Sequence, residues 1–257
     1  MNKILFLGQK KIGEYAFKLL LNSQNDQLKV MAACSNINTD IWWKSNEIYK
    51  LCQRANIAFV SNSDKNESQL KKIIEKLSID TIISVQHPWI ISKQLLEIPK
   101  YKAFNLHNAK LPDYKGCNAV NHAILNREKV YTSTIHWMLP KVDTGPIAYE
   151  NTFEIPHNVT AQKLYIMAEK AGLKIFEKLI QNLSRNLEIP KKYFLSKGRY
   201  YTRKSIESLR EIKNLNDPLE IQLKARAFFF PPFEPAYFII EKNKYFVLPD
   251  DVCSEFS

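Results

Sequence analysis

The chain has 257 residues, 45% apolar and 25% charged, the proportions of soluble globular material rather than of a disordered or fibrous chain. Its net charge of +11 is spread thinly, with short pairs at Lys10-Lys11, Lys71-Lys72 and Lys191-Lys192 rather than one dense run, so it reads as a diffuse field that attracts anionic small molecules. Four scattered cysteines (Cys34, Cys52, Cys117, Cys253) without a C-x-x-C pair or zinc-like spacing argue against a disulfide framework and against a metal, and no apolar stretch approaches the roughly 20 residues of a membrane helix; a soluble protein of a reducing cytoplasm is expected.

Lys3 to Gly8 is a short apolar run closed by glycine, too short for a signal-peptide core, and Ile12 to Leu21 has the spacing of a helix buried on one face. The glycines at 8 and 13 lack dinucleotide-fold spacing and no P-loop Lys-Ser/Thr follows, so a nicotinamide cofactor is poorly supported, although Lys10 at a helix start favours an anion. Strands follow at Leu28–Cys34, Ile57–Val60 and Asp80–Val85, and helices near Ser45–Ala55 and Glu67–Leu77, with Trp42-Trp43 in a loop between. Such alternation predicts a mostly parallel sheet with helices on both faces, a Rossmann-like α/β fold. Gln86-His87-Pro88-Trp89-Ile90-Ile91 then leaves a strand at the end where open α/β sheets bind ligands.

A strand ending in Asn105 and His107 comes next; two residues apart, both side chains point to one side. A Leu111-Pro112 turn, a helix from about Cys117 to Leu125 and the alternating strand Thr132–Trp137 precede Asp143-Thr144-Gly145, a turn able to bring a carboxylate to the imidazole. His136 on that strand reads as structural. Ile147–Phe153 is a returning strand, and Thr160 caps a helix whose stripe from Leu164 to Leu183 is core. Beyond Pro190 aromatic and basic residues dominate; Asp217-Pro218-Leu219-Glu220 opens a helix to about Arg226, and Tyr237–Glu241 with Tyr245–Leu248 forms a hairpin turning at Asn243. The division expected is 1–188 as a catalytic domain and 189–257 as a small helix/β-hairpin subdomain that packs on it or pairs two copies. Cys253 is followed by four residues and is not a prenylation box.

In the order Asn105-x-His107, Leu111-Pro112-x-x-x-Gly116 and Asp143-x-Gly145, the chain resembles the 10-formyltetrahydrofolate-dependent formyltransferases, most of all the sugar N-formyltransferases that act on nucleotide-linked amino sugars. The likeness covers roughly Met1 to Leu183 and returns weakly at Lys224 to Phe238. It implies that 10-formyltetrahydrofolate is the co-substrate, that Gln86, His87, Pro88, Trp89, Ile90 and Ile91 line the pterin pocket, and that a dTDP-linked 4-amino-4,6-dideoxyhexose is the acceptor. The same resemblance makes Asn105, His107 and Asp143 catalytic. The residues themselves suit those parts: an amide donor to the oxyanion, an imidazole titrating near neutrality, and a carboxylate that holds the imidazole's working tautomer. Whether His107 or Asp143 first receives the amine proton stays open. Lys10, Tyr114, Asn118 and Phe230 are the candidate acceptor contacts, a homodimer through the C-terminal region is expected, and nucleic acid and membrane are not expected partners. A tRNA-acting formyltransferase would account for the positive charge, but only a short aromatic tail follows Pro190, and Asn108 and Lys110 depart from the small residues usual there. A non-catalytic folate-binding module is a third reading.

Overall fold

The computed structural model describes residues 1–63, 66–99 and 102–250; Cys253 lies outside them. Two strands, β1 (Asn2–Gly8) and β4 (Thr81–Val85), are buried along almost their whole length, as strands covered by helices on both faces must be. With β2 (Leu28–Ser35), β3 (Ala58–Ser61) and β5 (Ala103–His107) they form the parallel part of the sheet. The edge strands β7 (Val130–Trp137) and β8 (Ile147–Glu154) run antiparallel, giving seven strands in the order β3-β2-β1-β4-β5-β7-β8.

Alternate residues of β1 divide the core. Ile4 and Phe6 face α1 (Lys10–Asn22), α2 (Glu47–Ala55) and the long α6 (Ala161–Ser184), whereas Leu5 and Leu7 face α3 (Glu67–Leu77) and α4 (Lys93–Glu97). Helix α6 starts where its cap was expected: Thr160 Oγ1 accepts the Lys163 N–H. The five-residue α4, capped by Ser92, is too short to show a period and was not foreseen.

A third core joins the loop after β5, α5 (Ala119–Leu125) and α6 to the C-terminal residues Ile206, Ile212, Phe228 and Ala236. The tail therefore shares its core with the residues before it. Its α7 (Pro218–Phe228) begins with Asp217 accepting the N–H groups of Leu219 and Glu220. The two-residue strand β6 (Lys115–Gly116) pairs in parallel with β9 (Tyr200–Tyr201), drawing the tail up to the loop after β5. The hairpin is β10 (Ala236–Ile240) and β11 (Asn243–Val247), and it turns at Glu241-Lys242, not at Asn243, which pairs with Ile240. Both turn residues take positive φ, 50° and 71°, the geometry of a tight hairpin turn made here without Asn or Gly. Among the described residues no helix is long and apolar enough to cross a membrane.

Phe176 is fully buried where α6 meets the sheet. Phe176→Ala is expected to lower unfolding free energy by about 3–5 kcal/mol, read from the denaturant midpoint.

Candidate active site

Asn105 and His107 stand at the C-terminal end of β5, on one side of the backbone, both half-buried. The antiparallel pairing of β5 with β7 sets His136 directly opposite Asn105 and Thr134 opposite His107. Cross-strand neighbours have Cβ atoms about 5 Å apart, so amide and imidazole meet: Asn105 Nδ2 lies 3.2 Å from His136 Nε2. His136 Nδ1 is 2.8 Å from the Trp137 carbonyl. A carbonyl only accepts, so Nδ1 carries the proton and, in the neutral ring, Nε2 accepts one Asn105 N–H. The second amide N–H of Asn105 remains for a ligand. The residue read as structural from the sequence is thus the one that orients Asn105.

The carboxylate comes from the turn after β7. Asp143 has φ 52°, and Gly145 leaves no room for a side chain, since a Cβ there would lie 1.8 Å from the Trp137 carbonyl oxygen. This turn places Asp143 Oδ2 3.7 Å from His107 Nδ1 and Oδ1 3.3 Å from His136 Nε2. The Gly116 N–H donates to Oδ2 at 2.8 Å. Gly116 itself, φ 89°, lies so close to the Tyr201 carbonyl that a Cβ would approach it to 2.2 Å. Burial would push the Asp143 carboxyl up; the charge of His107, the hydrogen bond and charge that His136 supplies when its ring is protonated on both nitrogens, and the Gly116 N–H outweigh it and hold it well below the usual carboxylate range. Asp143 is a buried group that is ionised at neutral pH.

The tautomer of His107 is set elsewhere than expected. Its Nε2 lies 2.7 Å from the backbone carbonyl of Tyr114, which fixes the proton on Nε2 and leaves Nδ1 as the basic nitrogen, facing Asp143. At 3.7 Å no direct hydrogen bond joins Nδ1 to the carboxylate; a protonated imidazole, or a proton-bearing group between them, is stabilised there. Asp143 therefore acts on the charged state of His107, and the Tyr114 carbonyl on its tautomer. Tyr114 enters the site through this backbone group, because its hydroxyl donates to Glu128 at 2.6 Å and its ring stacks on Tyr201. Although two imidazoles and a carboxylate meet here, no group of three or more His, Cys, Asp or Glu among the described residues has the arrangement of a metal site.

The residues predicted for the pterin pocket divide. Gln86 turns to accept from Lys10 Nζ at 2.9 Å, while Trp89 donates to the Asn62 carbonyl and, with Ile90, stays exposed. Pro88 lies half-buried between them. Ile91 is core, and burial lowers His87 to about 4, so it stays neutral. The space beneath, bounded by His87, Trp89, Ile91 and Cys34, measures about 10 Å³, room for one water. Of the acceptor candidates, Lys10 has its ammonium over the rings of Trp42 and Tyr165 at 5.7 and 5.8 Å, and burial lowers it to about 8. Asn118 donates to the Arg203 carbonyl. Phe230 packs against Trp42, Tyr165 and Phe233, which also gives the Trp42 loop its place.

Residues 8–180 match the Formyl transferase family. A methionyl-tRNA formyltransferase of Clostridium tetani is 34% identical over 202 residues, covering 75% of this chain, which spans 62% of that relative's length. Among solved structures, the N-formyltransferase of Helicobacter canadensis, in complex with folinic acid and dTDP-3-aminofucose, superposes with a TM-score of 0.74 at 26% identity, over 95% of this chain and 86% of its own. WlaRD, a sugar 3N-formyltransferase with dTDP and 5-N-formyl-THF, gives 0.73 at 28% identity, over 95% and 84%.

Since the folded state depresses Asp143 below its unfolded value near 3.9, the stability it contributes is present above that pH and is lost as pH falls through the folded value. Wild type is expected to lose stability relative to Asp143→Asn on acidification below about pH 4, read by denaturant unfolding at stepped pH.

Proposed function

The chain belongs to the formyl transferase family, and on that premise we propose that it transfers a formyl group from 10-formyltetrahydrofolate to the amine of a nucleotide-linked amino sugar. The observation that carries this reading is the meeting of Asn105, His107 and Asp143 at the C-terminal end of β5. Formyl transfer to an amine runs through a tetrahedral intermediate: the amine nitrogen bonds to the formyl carbon, loses a proton, and the folate nitrogen leaves with one. In this reading the free N–H of Asn105 stabilises the oxyanion, worth about 3–4 kcal/mol for such a donor. His107 Nδ1 takes the amine proton and returns one to the leaving nitrogen, with ionised Asp143 stabilising the imidazolium in between. The residues from Gln86 to Ile91 border the folate.

A sugar acceptor is supported by the two nucleotide-sugar enzymes whose folds superpose on nearly all of this chain, tail included. dTDP-4-amino-4,6-dideoxyglucose, for cytoplasmic assembly of surface polysaccharide such as a lipopolysaccharide O-antigen, is the acceptor we assign. Lys10 and the C-terminal residues around Phe230 border its nucleotide. The hairpin exposes Ile239 and Phe246 on one face and Ile240 and Tyr245 on the other, and we assign this element to pairing with a second copy in a homodimer. A second reading, an aminoacyl-tRNA acceptor, draws on the identity to the Clostridium enzyme and the net charge of +11. RNA binding that weakens steeply with salt distinguishes it.

Incubation with 10-formyltetrahydrofolate and a panel of dTDP- and UDP-amino sugars is expected to give a formamide product, and no product with any of them excludes this acceptor class. His107→Ala and Asn105→Ala are each expected to lower turnover at least about 100-fold. Lys10 carries its charge below about pH 8 and loses it above, so KM for the anionic acceptor is expected to rise between pH 7 and 9 in wild type and to stay level in Lys10→Arg.

A further inference from the structure

Helix α6 presents a polar edge that the chemistry above does not use. Tyr165 and Glu169, one turn apart on the same face, stand beside Lys10, and Lys10 in turn feels the charges of Glu169 and Arg203. Gly172, less than one further turn along, lies against Asn108, the neighbour of His107. This edge of α6 thus runs from the Lys10 cluster toward the candidate catalytic residues. Trp42 and Phe230 wall off Tyr165 edge-on, at 6.4 and 5.2 Å between ring centroids.

Tyr165 Oη and Glu169 Oε1 couple to each other as donor and acceptor, yet both atoms are buried and neither has a hydrogen-bond partner of ordinary length and angle. Buried polar atoms left unpaired are costly and rare, and two facing ones mark a place for a group that pairs with both. A phenol donates and a carboxylate accepts. A phosphate oxygen only accepts and is repelled by Glu169, and an ammonium only donates and leaves the Tyr165 proton unused; a hydroxyl does both. Burial raises the Glu169 carboxyl to about 6 against the pull of Tyr165, Lys10 and the Ile12 N–H, so at pH 7.5–8 it is ionised and accepts strongly.

We propose that Tyr165 and Glu169 are a specificity-determining pair that binds one hydroxyl of the acceptor, which accepts from Tyr165 Oη and donates to Glu169 Oε1. The proposal rests on the amino-sugar reading and adds to it a reason for selecting among acceptors.

The test compares wild type, Tyr165→Phe and Glu169→Gln on dTDP-4-amino-4,6-dideoxyglucose and its 2-deoxy, 3-deoxy and 3′-deoxythymidine analogues. Wild type is expected to lose about 10- to 100-fold in kcat/KM on one analogue, mostly through KM. Each variant is expected to show a similar loss on the parent compound and little further loss on that analogue. Unchanged affinity for 5-formyltetrahydrofolate, by calorimetry, shows that the variants are folded. If variants and wild type discriminate equally among the analogues, the proposal falls. Failure of the underlying reading is seen separately, as a wild type that neither binds dTDP nor formylates the parent compound, and it removes both.

Discussion

One buried carboxylate organises the candidate site. Asp143 is ionised between two imidazoles, His107 and His136, with the Gly116 N–H as its hydrogen-bond donor. A bare carboxylate so enclosed would be expelled or neutralised; here its partners outweigh desolvation. Because each partner sits on a different element, β5, β7 and the loop at β6, the carboxylate also fixes those elements relative to one another. Two glycines make this possible: Gly145 lets the turn press against β7, and Gly116 lets its loop press against Tyr201.

Backbone carbonyls complete the arrangement. The Tyr114 carbonyl puts the His107 proton on Nε2 and the Trp137 carbonyl puts the His136 proton on Nδ1, so in their neutral states one imidazole offers a basic nitrogen to the site and the other accepts from Asn105. The tail supports this from behind: β9 pairs with β6, and Ile206, Ile212 and Phe228 share a core with α5 and α6. The tail is thus part of the packing that holds Gly116 in place.

Much of this was legible in the sequence, where local rules act. Period-two spacing placed Asn105 and His107 on one side, the parallel β1–β5 core followed from apolar runs alternating with helices, and Thr160 and Asp217 announced their helices by capping chemistry. What escaped depends on contacts between distant segments or on groups that every residue carries. The antiparallel pairing that sets His136 against Asn105 is tertiary, and a backbone carbonyl such as that of Tyr114 leaves no mark in a side-chain pattern. Asn243 suggested a turn because Asn tolerates positive φ, but Glu241 and Lys242 took that conformation instead. Tyr165 and Glu169 were hidden beside the apolar stripe of α6, where polar residues ordinarily face water.

The assignment of His107 and Asn105 to the reacting atoms is tested most directly by a crystal structure with 5-formyltetrahydrofolate and dTDP-4-amino-4,6-dideoxyglucose bound together. The acceptor nitrogen is expected about 3–3.5 Å from His107 Nδ1, with the formyl oxygen in hydrogen-bond reach of Asn105 Nδ2. A complex with the amine away from Nδ1, or with His107 turned off the Tyr114 carbonyl to present Nε2, contradicts it.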